Sequence, residues 1–78
     1  MENIIAVKPM DNYHIWIMFA DRFEAKINIR PFITNGISKK LLEENYFKQV
    51  KIDDLGGITW DNGFDFCPNY LREITSTK

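Results

Sequence analysis

The sequence predicts an α+β domain, mainly an antiparallel and strongly twisted β-sheet of five or six strands with one or two short helices packed on one face. Three observations carry this expectation. Phe23 to Ile29 alternates apolar and polar residues with a period of two, as a strand with one buried and one solvated face must. Asn62-Gly63 sits between two β-rich runs, Ile58-Thr59-Trp60 and Phe64-Asp65-Phe66, and asparagine-glycine in that setting is a strong hairpin signal. The hydrophobic content is 45%, with six Phe, three Tyr and two Trp, enough apolar surface for a packed core. At 78 residues the chain reads as one domain, 1–78.

Taken in order, Ile4 to Val7 suits a first strand closed by Lys8-Pro9, because proline cannot donate to a ladder. Asp11-Asn12 is turn chemistry. Tyr13 to Phe19 is rich in β-formers, with Tyr13, Ile15, Ile17 and Phe19 on one face and His14, Trp16 and Met18 on the other. Ala20-Asp21-Arg22 returns the chain into Phe23–Ile29, where Phe23, Ala25, Ile27 and Ile29 point inward and Glu24, Lys26, Asn28 and Arg30 outward. Arg30 to Ile33 leaves the sheet as a short helical turn. Ile37 to Asn45 forms a short helix, with Ser38 as N-cap and Ile37 stapled onto Leu42. Its lysines at the start and glutamates at the end oppose the helix dipole, so docking of Leu41 and Leu42 must hold it.

Tyr46 to Asp53 resumes strand character, with Val50 and Ile52 inward. Asp54 to Gly57 turns the chain into the Asn62-Gly63 hairpin, read as a two-residue type I′ turn. Pro68 opens a last helix to about Ile74, at the first helical position, where the missing N–H is no loss. The expected core is Ile5, Val7, Ile15, Ile17, Phe19, Phe23, Ile27, Ile29, Leu41, Phe47, Val50, Ile52, Trp60 and Leu71.

Several function classes are disfavoured. The formal net charge is −1 and the cations are dispersed, unlike the basic footprint of a dedicated nucleic-acid binder. No apolar run approaches the roughly 20 residues that cross a bilayer. Cys67 is the one cysteine and has no partner for an internal disulfide, which fits a reducing, cytoplasmic setting. The first residues carry no basic segment or cleavage-like site of a secretory signal.

A set of residues spread along nearly the whole chain resembles one family. It comprises Tyr13, Phe19 and Asp21; Ile29, Pro31 and Phe32; Leu41 or Leu42 with Phe47 before Val50-Lys51-Ile52-Asp53; and Trp60-Asp61-Asn62-Gly63-Phe64-Asp65-Phe66-Cys67-Pro68 with Leu71. Together these resemble the DUF2442 family, small bacterial domains of unknown function. One departure is Arg22, where the family usually has glycine after the aspartate. The resemblance implies an interaction module: some relatives look fused to a helix-turn-helix domain, and others look paired with a second small domain as in toxin–antitoxin systems. It implies no active site.

Two groups of residues are candidate sites. With a two-residue loop, Trp60 faces Asp65 across the ladder, so Trp60, Asn62, Gly63 and Asp65 are either a ligand-facing hairpin or a structural one. The structural reading, with Trp60 in the core, is the ordinary outcome for a hairpin signature. His14, Trp16 and Met18 share the second face of a strand whose first face is apolar. Either a helix covers them, through Leu71 and Ile74, or part of this face is an apolar patch for dimerisation or partner binding.

Catalysis is not expected. A Cys–His nucleophile needs Cys67 and His14 adjacent with a third orienting group, and one His with one Cys does not make a zinc site. Asp53, Asp54 and Asp61 read as turn residues, Gly56-Gly57 is no phosphate loop, and no cofactor is implied. Lys26 and Arg30 share an outer face with Glu24, so nucleic-acid binding by this chain alone is not expected. The sequence therefore points to a non-catalytic protein-interaction module with a protein partner or a second copy of itself, in the manner of the antitoxin-like half of a small bacterial pair. The alternative is an accessory regulatory or DNA-binding domain acting with a helix-turn-helix protein.

Overall fold

A computed structural model describes residues 3–76. The element order is β1 (Ile4–Pro9), β2 (His14–Phe19), β3 (Glu24–Asn28), 3₁₀ segments at Arg30–Phe32 and Gly36–Leu42, α1 (Glu44–Phe47), β4 (Lys51–Ile52), β5 (Ile58–Thr59), β6 (Asp65–Phe66) and α2 (Pro68–Ser76). The α+β class and the antiparallel strands hold. The single sheet of five or six strands does not: the strands form two three-stranded meanders, β1-β2-β3 and β4-β5-β6. The reason lies in the middle of the chain, where Pro31 and the two 3₁₀ segments carry it off the sheet. The second meander has only two residues per strand, too short to extend the first ladder. The two are joined at one corner, where the Ile4 N–H donates to the Gly56 carbonyl (2.8 Å).

The period-two reading of β2 and β3 holds in detail. Ile15 pairs with Ile27, Trp16 with Lys26 and Ile17 with Ala25, so one face collects Ile15, Ile17, Phe19 and Ile27, all buried. The β2–β3 hairpin closes with a three-residue loop. Phe19 N–H donates to Phe23 O and Arg22 N–H to Phe19 O (2.8 and 2.9 Å), with Arg22 in the left-handed region at φ +75°. The second meander repeats this closure. Trp60 N–H donates to Phe64 O and Gly63 N–H to Trp60 O (3.0 Å each), with Gly63 at φ +93°. The expected two-residue I′ turn is thus replaced by a three-residue loop with a left-handed last residue, the next most common hairpin connection. Asp21 and Asn62 do the same work in the two loops, each accepting the N–H two residues on (3.1 Å).

One continuous core holds both sheets. Trp60 is its largest fully buried side chain and lies against Phe47, Phe64 and Phe66 with ring centroids 5.9, 5.8 and 6.4 Å apart. Its indole N–H donates to the Phe47 carbonyl (3.0 Å), the partner a buried tryptophan needs. Leu41 and Leu71 are fully buried in the same core, and Ile4, Ile33, Ile58 and Phe66 join it unforeseen.

Six sequence expectations fail here. Ile5 is 51% exposed, because the register slips between Ile4 and Ala6 and a bulge removes the residue from the alternation. Ile52 is exposed at the end of a two-residue strand, and Tyr46-Phe47 belong to α1 rather than to the strand. The helix expected over Ile37–Asn45 is a 3₁₀ segment followed by the single turn of α1, in keeping with its opposed charges. Ser38 lies inside that segment and accepts the Thr34 N–H (2.9 Å), while Ile37 is 56% exposed and staples nothing. The final helix and the helical turn at Arg30–Phe32 are as expected. Among the described residues, no helix is long and apolar enough to cross a membrane.

Candidate functional site

The two faces of the first sheet differ sharply. Its inner face is core. Its outer face carries Ala6 and Lys8 from β1, His14, Trp16 and Met18 from β2, and Glu24, Lys26 and Asn28 from β3, and none of these eight is buried. The helix expected to cover Trp16 lies elsewhere. Leu71 and Ile74 of α2 pack against the core cluster, and Arg72 stacks its guanidinium on the Phe19 and Phe23 rings at 5.0 and 4.3 Å. Arg72 also makes two hydrogen bonds to the Asp21 carboxylate, at 3.1 and 2.9 Å. These contacts fix α2 at the loop end of the β2–β3 hairpin, on its inner side.

The outer face therefore presents a row of three half-buried side chains down the central strand. Trp16 is in the middle, with Lys8 opposite on one neighbouring strand and Lys26 on the other. Its indole N–H donates to Glu24 Oε1 (3.0 Å), which fixes the ring across the sheet and satisfies its one donor. Met18 follows on the side of Ala6 and Glu24. On the side of Asn28, His14 Nδ1 lies 2.9 Å from the Asn12 carbonyl oxygen. The surface thus combines a tryptophan held by one hydrogen bond and a methionine, residue types enriched in protein interfaces, with flanking lysines of the kind found at a polar rim. Lys8 is the member of this surface that the sequence reading missed. Its signal was the polar position between Val7 and Pro9, which gains meaning only once β1 is registered on β2.

The second candidate group does not converge. Asp65 pairs with Thr59, not with Trp60, because the three-residue loop makes Phe64 the partner of Trp60. Trp60 is buried and Asp65 exposed. Asn62 holds the loop, accepting the Phe64 N–H and donating through Nδ2 to the Ile37 carbonyl (2.7 Å). The loop also carries the ion pair of Lys51 with Asp61 (2.7 Å). The hydrogen bond and the charge of Asp61 hold the Lys51 amine above its ordinary pKa.

Cys67 precedes α2 and its Sγ accepts the Tyr70 N–H at 3.4 Å, whereas His14 begins β2 in the other sheet. Among the described residues, no three His, Cys, Asp or Glu side chains are grouped to hold a metal ion. Shallow clefts open on the surface of the described residues. One of about 300 Å³ runs along β3 under Ile74 and Thr75, and one of about 220 Å³ lies between Met10, Tyr13, Glu44 and Phe47. His14, Trp60 and Asp65 line neither.

Comparison with known families adds one match: the family described as a protein of unknown function, DUF2442, matches residues 4–75. No curated protein and no solved structure matches the chain.

Proposed function

The chain belongs to the DUF2442 family, and from that premise we propose that it is a non-catalytic interaction module that docks a protein partner on the outer face of its first sheet. The supporting observation is Trp16. A tryptophan at the centre of the central strand, immobilised by Glu24 and flanked by Lys8 and Lys26, stands on a face with no buried residue. Aromatic residues of this kind, central and rigid, supply most of the binding energy in protein interfaces. The flanking lysines favour a partner with an apolar side chain set beside carboxylates. In this reading the domain is the partner half of a small bacterial pair, as an antitoxin-like member would be. It acts in the cytoplasm, consistent with its one exposed cysteine, Cys67.

Co-purification of the tagged chain from its own host tests this. We expect one stoichiometric protein partner that is lost when Trp16→Asp or Met18→Asp is introduced. It should be kept with Leu55→Asp, at a residue 80% exposed on the second meander. Unchanged thermal melts would show that the variants fold. Partner retention by Trp16→Asp would refute the assignment of this face.

A further inference from the structure

The first sheet has a free edge at β3. The loop closure places Phe23 and Ile29 in backbone hydrogen bonds with Phe19 and Tyr13 of the β2 side. By antiparallel alternation, Ala25 and Ile27 also turn their N–H and C=O groups toward β2. The N–H and C=O groups of Glu24, Lys26 and Asn28 therefore point away from it. Among the described residues, none donates to or accepts from these six groups. An exposed row of this kind is a template for another strand.

We infer that the strand it takes is β3 of a second copy of this chain, paired antiparallel about a two-fold axis at Ala25. The charges select this register. Centred on Ala25, Glu24 faces the partner's Lys26 and Lys26 the partner's Glu24, in two symmetric opposite-charge pairs that are also the hydrogen-bonded pairs of the new ladder. Centring on Lys26 sets two lysines against each other, and centring on Glu24 sets two glutamates. Centring on Ile27 puts Lys26 opposite asparagine and leaves Glu24 outside the overlap. Charged residues ordinarily blunt a free edge; these two repel their own kind in two registers and attract in one.

The space beside the edge fits as well. The cleft of about 300 Å³ is lined by every residue of β3 from Glu24 to Asn28, with Phe23 before it and Ile74 and Thr75 of α2. It runs along the edge of the strand, where an incoming strand would lie. The result is a continuous six-stranded sheet that joins the two outer faces and leaves Lys8 and Trp16 of each copy open. The dimer is built on the backbone edge of β3; it engages Glu24 and Lys26, which also border Trp16 on the outer face, and leaves Lys8 and Trp16 themselves outside the contact.

Sedimentation equilibrium at low salt tests it on the full chain. We expect a monomer–dimer equilibrium whose dissociation constant rises about tenfold or more with Lys26→Glu, which sets glutamates opposite each other twice. Adding Glu24→Lys to that variant should restore the dimer. In a Cys67→Ser background, Ala25→Cys should oxidise to a covalent dimer, since residues at a non-hydrogen-bonded antiparallel pair lie within disulfide reach. Lys26→Cys should not. A chain that stays monomeric to millimolar concentration would overturn the inference. So would a dimer indifferent to Lys26→Glu, no recovery in the double variant, or faster linkage through Lys26→Cys. Lys8→Glu, on β1 at the far side of the sheet from the β3 edge, should leave the dimer intact while weakening partner binding, so failure of the partner-binding proposal and failure of this one are separable.

Discussion

The Arg72 guanidinium straddles the Asp21 carboxylate and the Phe23 ring, 2.9 Å from one carboxylate oxygen and 4.3 Å from the ring centroid. A pairing across 51 residues of sequence fixes α2 to the inner side of the β2–β3 loop. It thereby decides which face of the first sheet stays open. The candidate surface exists because this helix is held elsewhere.

Arg72→Ala should lower stability by about 1–2 kcal/mol, combining a lost bidentate pair with lost stacking. Arg72→Lys should recover less than half of that, since an ammonium cannot bond the carboxylate bidentately. Urea melts of the three proteins check this. Equal stability of Arg72→Lys and the parent would deny the bidentate pair its role.

Arg22 occupies a left-handed position, φ +75°, at the place where the matching hairpin carries Gly63. A side chain there costs roughly 1–2 kcal/mol, offset in part by the greater chain entropy of glycine. Arg22→Gly should therefore stabilise the domain by about 0.5–1 kcal/mol, and Gly63→Ala should destabilise it by about 1 kcal/mol. Nothing lies within 4 Å of a Cβ built at Gly63, so that cost is one of backbone conformation alone. Thermal melts with opposite signs for the two changes would bear out the shared loop geometry.

Gly57 is limited by space instead. A Cβ at this position would run into the Phe66 carbonyl oxygen, so Gly57→Ala must break the β5–β6 ladder or the loop that Asp53 Oδ1 holds through the Leu55 and Gly57 N–H groups (2.9 Å each). We expect a loss of about 3 kcal/mol or more, enough to unfold much of a small domain's population. Circular dichroism of the purified variant would show it, and a native-like melt would refute the close approach.

The Lys51–Asp61 pair predicts a pH dependence with a definite sign. Since the folded-state pKa of Lys51 is raised, its contribution is fully present below the unfolded lysine value, at neutral pH included. It is lost only as pH rises through the folded value. Lys51 is exposed, so Lys51→Met should leave the melting temperature nearly unchanged at pH 7 and physiological salt. The two proteins should converge further above pH 11. A difference that widens with rising pH would contradict the pairing.

The sequence was most informative where periodicity and packing agree. Phe23–Ile29 alternated as a half-solvated strand does, and the hairpin signature at Asn62-Gly63 favoured Trp60 as a core residue. The hairpins were legible, but not their loops. Asn62-Gly63 suits both a two-residue and a three-residue closure, and only the backbone bonds of Trp60 with Gly63 and Phe64 distinguish them. That one-residue difference moved Asp65 away from Trp60 and dissolved one candidate site. The split into two sheets was hidden because Tyr46–Asp53 has strand composition while α1 and a two-residue strand take its place. The outer face was legible as His14, Trp16 and Met18. Of its cationic flank, Lys26 was legible as an outward residue and Lys8 was not, since Lys8 reaches Trp16 only through the bulged register of β1, which no local pattern reports.

The central claim is that Trp16 anchors a protein partner, and its most direct test is binding by calorimetry. The partner recovered from the host would be titrated into the parent chain, Trp16→Ala and Lys8→Glu. Trp16→Ala should weaken the complex at least about thirtyfold, as loss of a central anchor of 2 kcal/mol or more requires. Lys8→Glu should weaken it severalfold, with a clear dependence on salt. Binding by Trp16→Ala within about twofold of the parent would contradict the claim and move the search to other surfaces of the domain.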